Sequence, residues 1–389
     1  MSRRKINEFE SFQRMYGYTK KRSIKSKLLD GFCKSHGYNR KYAIRRLKQM
    51  RVRSLRGPGP SRIYEPKLLL EPLKRIWFAT DQMCSKRLHV AMRLWLPHYR
   101  ENNQSLDPHI VELLLQMSPS TIDRLLKPVR KIEGRRRRCG TKPGTLLKNR
   151  IEIKTEQWDI DEPGFMEADT VAHCGMSLAG DFVWTLTMTD IYSGWTENRA
   201  CWNKGADGVL KAIAGVEAKL PFILKGFDCD NGSEFLNHHL LNYLRNRKKP
   251  VEFTRSRPYR KDDNAHVEQR NWTHVRQLLG YTRFENPKIV ELLNELYANE
   301  WSLLNNYFCP SMKLEEKIKI NSKYKVRHKA PASPCERLLA SEGIDKKTKA
   351  ALTKQFESLN PFDLRKKIEE KLEAIFNLVH VTHRPRKKI

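Results

Sequence analysis

The 389-residue sequence predicts an α/β core set between helical regions, and three observations carry that prediction. Apolar residues recur at helical spacing as far as Lys127 and change to an extended pattern at Phe165. From Phe165 onward, extended runs come first and then alternate with amphipathic helices. Gly- and Pro-containing stretches at 55–60 and 128–164 separate these regions.

The first helical region, Tyr18 to Met50, has apolar residues at Ile24, Leu28, Leu29 and Phe32, a break at Gly37, then Tyr42, Ala43, Ile44 and Leu47. This predicts two helices joined by a turn. As a helix-turn-helix it would carry Asn39, Arg40, Lys41, Arg45 and Arg46 on the second helix, within reach of a groove or its phosphates. The unit is expected over residues 1–62, ending in Leu55-Arg56-Gly57-Pro58-Gly59-Pro60, which can continue neither helix nor ladder.

A second helical unit is expected over 63–127. Its last helix begins with Ser118 as cap and Pro119 at an early helical position, and is a candidate second DNA-reading helix. A linker follows over 128–160 with the run Arg135, Arg136, Arg137 and Arg138, suited to tracking phosphates without reading sequence.

The core is expected over 161–285. Phe165 to Val171, Asp181 to Asp190 and Trp195 to Trp202 read as an antiparallel meander. A helix over Gly205 to Leu220, a strand over Phe222 to Asp230, a helix from about Glu234 to Arg247, a short strand Val251 to Thr254 and a helix from about Asp263 to Leu279 complete the order βββαβαβα. That is a mixed sheet with helices on its faces. Residues 286–389 are expected to form a helical accessory region with a basic tail, two helices following the breaks near Pro310 and Pro331.

Composition narrows the partners. Lys and Arg number 75 against 44 Asp and Glu, a net charge of +31, far beyond what solubility needs, and this predicts attraction to a polyanion, nucleic acid first. No apolar run spans a bilayer and no signal peptide is recognisable, so a cytosolic or nucleoid-associated protein without a membrane partner is expected. The eight cysteines show no zinc spacing and read as reduced, mostly buried thiols.

Three acids resist a structural explanation. Asp169 lies inside the first strand, where aspartate is disfavoured and costly to bury unpaired. Asp230 ends the fourth strand before Asn231-Gly232, at the carboxyl edge where ligand sites gather. Glu268 falls on a helical stripe with Asn264, Ala265, Asn271, Trp272, Val275 and Leu279, expected to face inward while Arg270, Thr273 and Gln277 face away. Together they describe an oxygen cage suited to Mg²⁺, two ions of which would serve in-line phosphoryl transfer. Asp190 is expected to cap a turn and Asp228 to lie beside the site; Asn264 would touch DNA or orient the glutamate.

The blocks Met166-Glu167-Ala168-Asp169-Thr170, Asp230-Asn231-Gly232-Ser233-Glu234-Phe235 and Arg257-Pro258-Tyr259-Arg260 leading into Asn264-Ala265-His266-Val267-Glu268-Gln269 resemble the signature of the DDE-type integrase catalytic core family, which includes retroviral integrases and bacterial insertion-sequence transposases. The resemblance spans about 160–285 and implies an RNase H-like fold with Asp169, Asp230 and Glu268 as catalytic and metal-binding residues. It further implies Mg²⁺ or Mn²⁺, and DNA cleavage followed by strand transfer into target DNA. A zinc-binding His/His/Cys/Cys module is not evident, which favours the transposase branch. Double-stranded DNA and a homo-oligomer assembled on it are the expected partners. A nuclease without strand transfer, or a domesticated regulator with an inactive core, are the alternatives.

Overall fold

The computed structural model describes residues 3–48, 63–100, 104–133, 160–229, 234–235, 237–255, 265–320 and 323–382. Two compact units result, Met1–Ile63 and Tyr64–Ile389.

The described residues of the first unit form three helices: α1 (Arg3–Tyr18), α2 (Arg22–His36) and α3 (Arg40–Lys48). Gly37 ends α2 in the left-handed conformation (φ 67°), its N–H returning to the Cys33 carbonyl, a position where only glycine is unstrained. The core is small: Leu29, Phe32, Ala43 and Leu47 are buried, with Phe9, Phe12 and Tyr16 of α1 packed against them.

The second unit begins with α4 (Pro66–Ala79), α5 (Ser85–Trp95), α6 (Pro108–Gln116) and α7 (Pro119–Glu133). The Ser118 hydroxyl accepts the Thr121 N–H as expected, but α7 runs on through Pro128 to Glu133. These helices share one apolar core with the C-terminal helices; the Trp95 indole, for example, donates to the Phe308 carbonyl at 2.9 Å.

The central sheet has five strands: β1 (Phe165–Ala172), β2 (Val183–Asp190), β3 (Thr196–Trp202), β4 (Gly226–Cys229) and β5 (Glu252–Arg255). Their spatial order is β3-β2-β1-β4-β5; β2 pairs antiparallel with β1 and β3, and β4 pairs parallel with β1 and β5. Helices α8 (Ala206–Glu217) and α9 (His238–Arg245) cover one face over Met166, Ala168, Leu186, Met188 and Phe227. The opposite face takes α10, which is α-helical over Ala265–Arg270, π-helical over Asn271–Arg276 and closed by Gln277–Leu279. This mixed sheet with flanking helices is consistent with the RNase H-like core expected from the sequence.

The edge strand β3 is covered by α11, which runs over Lys288–Leu296, a π segment Tyr297–Trp301 and Ser302–Phe308. Two of its asparagines substitute for a missing neighbour strand. Asn294 exchanges two hydrogen bonds with the Ala200 backbone (2.7 and 2.9 Å), and Asn306 does the same with Thr196 (2.9 and 3.0 Å). An edge whose N–H and C=O groups are satisfied in this way offers no template for another strand.

The C-terminal region is helical, with two departures from expectation. A two-stranded ribbon, β6 (Leu314–Ile320) and β7 (Lys323–His328), interrupts it. Three helices then follow rather than two: α12 (Pro334–Ala340), α13 (Lys346–Ser358) and α14 (Pro361–Thr382). Thiol burial also departs: of the seven described cysteines only Cys201, Cys229 and Cys335 are buried, and Cys84 is exposed. Among the described residues no helix is long and apolar enough to cross a membrane.

Candidate active site

Strand alternation puts Phe165, Glu167, Asp169 and Val171 on the α10 face of β1. Asp169 is half-buried and takes two donors: its own neighbour's N–H, Thr170, reaches Oδ1 at 2.7 Å, and the Asn271 amide reaches Oδ2 at 2.6 Å.

Glu167 is a site residue that the sequence pattern did not single out. It is 2% exposed and accepts the Val267 N–H at 3.0 Å, in the first turn of α10. Burial, reinforced by repulsion from Asp228 and Glu268, pushes its carboxyl up to about 8 against the pull of the backbone donors. The available signal was a second acid two residues before Asp169, on the same strand face.

Glu268 lies between these two attachments. Val267 is bonded to Glu167 on one side and Asn271 to Asp169 on the other, so the helix carrying Glu268 is pinned to the strand carrying Asp169 on both sides of the glutamate. The Glu268 side chain is itself exposed. This corrects the expected inward stripe: Val267, His274, Val275 and Leu279 are buried, whereas Glu268 and Trp272 (51% exposed) are not, and Arg270 turns inward. The reason is the π segment. Its wider turn aligns residues four apart, so 279, 275, 271 and 267 form the inward line in place of 268.

On β4, Asp228 pairs in register with Glu167 and accepts the Thr254 hydroxyl at 2.8 Å. Cys229, the next residue, pairs with Ala168. Asp230, Asn264 and the Arg135, Arg136, Arg137 and Arg138 run lie outside the described residues. Among the described residues no group of three His, Cys, Asp or Glu side chains is placed to hold a metal. The side-chain oxygens of Asp169, Glu268 and Asn271 are nevertheless of the kind a hard cation takes, and among the described residues the Asn271 Oδ1 is buried without a partner.

Asp190 caps the β2–β3 turn as expected, accepting the Ser193 N–H at 2.6 Å and the Gly164 N–H at 2.8 Å. That turn is gripped by cations. The carbonyls of three successive residues, Tyr192, Ser193 and Gly194, accept from Lys313, Arg337 and Arg270 respectively. Burial and mutual repulsion with Arg87 and Arg337 push the Arg270 guanidinium down to about 9.

In the N-terminal unit Lys41 and Arg45 are exposed on α3, while Arg40 is bonded to Asp30 and to the Ser26 hydroxyl. Arg46 differs, its guanidinium lying 5.6 Å from the Phe9 ring centroid.

No family model matches the sequence. The uncharacterized protein y4rM of Sinorhizobium fredii (strain NBRC 101917 / NGR234) is 36% identical over 323 residues, covering 81% of this chain and 90% of that protein. The chain belongs to the y4rM family. Among solved structures, the catalytic core domain of BIV integrase aligns with 36% of this chain and 82% of its own, at 16% identity and a TM-score of 0.27.

Proposed function

We propose that the chain is a DNA transposase or integrase that cleaves at element ends and transfers the freed 3′ ends into target DNA. The observation that carries this reading is the double attachment of α10 to β1, through Val267 to Glu167 and through Asn271 to Asp169, which brackets Glu268 beside the Asp169 strand.

Asp169, Asp230 and Glu268 are the residues that would hold Mg²⁺ or Mn²⁺. When bound, two such ions supply activation of the attacking oxygen and stabilisation of the departing one. The chain's own contribution is placement. Asn271 donates to Asp169, and Glu167 accepts the Val267 N–H, so both ends of this stretch of α10 are anchored to β1. Glu268, being exposed, meets the phosphodiester from the solvent side. Water first attacks a phosphodiester at the element end and releases a 3′-OH, which then attacks a target phosphodiester, one bond breaking as each forms. The motif blocks around Asp169, Asp230 and Glu268 support the same reading, as does the net charge of +31.

The N-terminal helices, with Lys41 and Arg45 outermost, are assigned to end recognition, and Arg135 to Arg138 to sequence-independent phosphate contact. Two ends must be handled together, so a homo-oligomer on DNA belongs to the proposal. The test is joining of labelled element-end duplex to a plasmid in Mg²⁺, with Asp169→Asn as control. Cutting without joining would reduce the proposal to a nuclease; binding without either reaction, at correct ends, would replace it with a regulator.

A further inference from the structure

We infer that the β6–β7 ribbon is a nucleic-acid arm that grips the phosphate backbone of duplex DNA beside the carboxylates, an inference resting on the DNA reading above. Residues 313–329 contain seven Lys and Arg (313, 317, 319, 323, 325, 327 and 329) against Glu315 and Glu316, a net charge of +5 from 7 − 2 in seventeen residues. The two strands pair only with each other. Leu314, Ile318 and Val326 are 44%, 43% and 46% exposed, so among the described side chains no apolar core explains why the ribbon exists. An isolated two-stranded ribbon is marginal by itself and needs an outside reason to be kept.

Size and charge identify the occupant. Strands about 4.8 Å apart, and about 23 Å long at about 3.3 Å per residue, match the dimensions of a ribbon that enters or borders a major groove about 12 Å wide. A second copy is the poorer fit, because joining ribbons edge to edge would bring two lysine-rich strands together, and lysine on an edge strand discourages such pairing. Of the described cations, Arg327 is paired with Glu315 at 3.0 Å, while Lys325 and Lys329 have no ion pair among the described residues.

The ribbon is also fixed in place. At its root the Lys329 N–H bonds the Lys313 carbonyl, and Ser311 pairs with Ala332. Lys313 and Arg337 then hold the Tyr192 and Ser193 carbonyls, and Arg270, two residues past Glu268 on α10, holds the next carbonyl in the same turn. One turn thus ties the ribbon's root to the helix of Glu268, so a duplex lying on the ribbon has a set distance to the carboxylates.

The experiment uses the full chain carrying Lys317→Ala, Lys319→Ala, Lys325→Ala and Arg327→Ala, with binding to unrelated duplexes measured by anisotropy across a salt series in EDTA. The slope of log K against log salt should fall by about 0.9 for each phosphate that the variant no longer neutralises, with similar weakening for every sequence. In a second measurement, DNA should protect Lys325 of the unsubstituted protein from amine acylation. Unchanged slope and unchanged acylation would overturn the inference, as would a variant altered in oligomeric state but not in DNA affinity. If the unsubstituted protein binds and joins DNA while the variant binds equally, the arm alone is wrong. If the unsubstituted protein binds no duplex, the DNA reading falls with it.

Discussion

Asn271 donates from Nδ2 to Asp169 Oδ2 at 2.6 Å, joining the π segment of α10 to the middle of β1 one turn beyond Glu268. On the proposed reading its role is orientation, as residues just behind a metal-binding carboxylate commonly orient it. Asn271→Ala is expected to leave duplex binding intact and to lower the joining rate by about 10- to 100-fold, as such supporting residues typically do. Single-turnover joining measured beside anisotropy separates the two; equal loss of both would mean that the helix had come loose.

The asparagine pair on α11 gives a stability test remote from the chemistry. Asn306→Ala would leave the Thr196 N–H and carbonyl without partners in a buried setting, at a cost of about 1–3 kcal/mol for each group. Urea unfolding should show a lower midpoint, and light scattering should show association through the uncovered β3 edge. A midpoint like that of the unsubstituted chain would mean that α11 covers the edge without those bonds.

The order of strands and helices in the core was legible because period two and period 3.6 alternate cleanly between Phe165 and Leu279. So was Asp190, whose position before Ile191-Tyr192-Ser193-Gly194 suits a turn cap. The facing of α10 was not. A π segment is invisible to counting by 3.6, and one extra residue per turn moved Val267 inward and Glu268 outward. Glu167 was missed because a buried acid looks in sequence like any other glutamate. The ribbon was missed because its lysines and glutamates disguise the alternation of Leu314, Ile318 and Val326.

His173 supplies a pH dependence with a definite sign. It is fully buried, shares a 2.8 Å hydrogen bond with Thr185, and burial, aided by the Arg276 charge, pushes it down from 6.5 to about 3. The folded chain therefore refuses a proton that the unfolded chain accepts. Its contribution to stability is complete above pH 6.5 and is lost as pH falls from there toward 3, at about 1.4 kcal/mol per unit. Denaturant unfolding between pH 7 and 4.5 should show a shallower loss for His173→Asn than for the unsubstituted chain; parallel curves would contradict a buried neutral histidine.

The most direct test of the central claim is Glu268→Gln in the joining reaction with Mg²⁺, element-end duplex and plasmid target. The substitution keeps shape and exposure and removes one negative charge. The expected result is DNA binding within a factor of about two, because phosphate contacts elsewhere dominate affinity, with neither cleavage nor joining detectable. Cleavage and joining at undiminished rates would contradict the assignment of Glu268, and with it the carboxylate site built on α10 and β1.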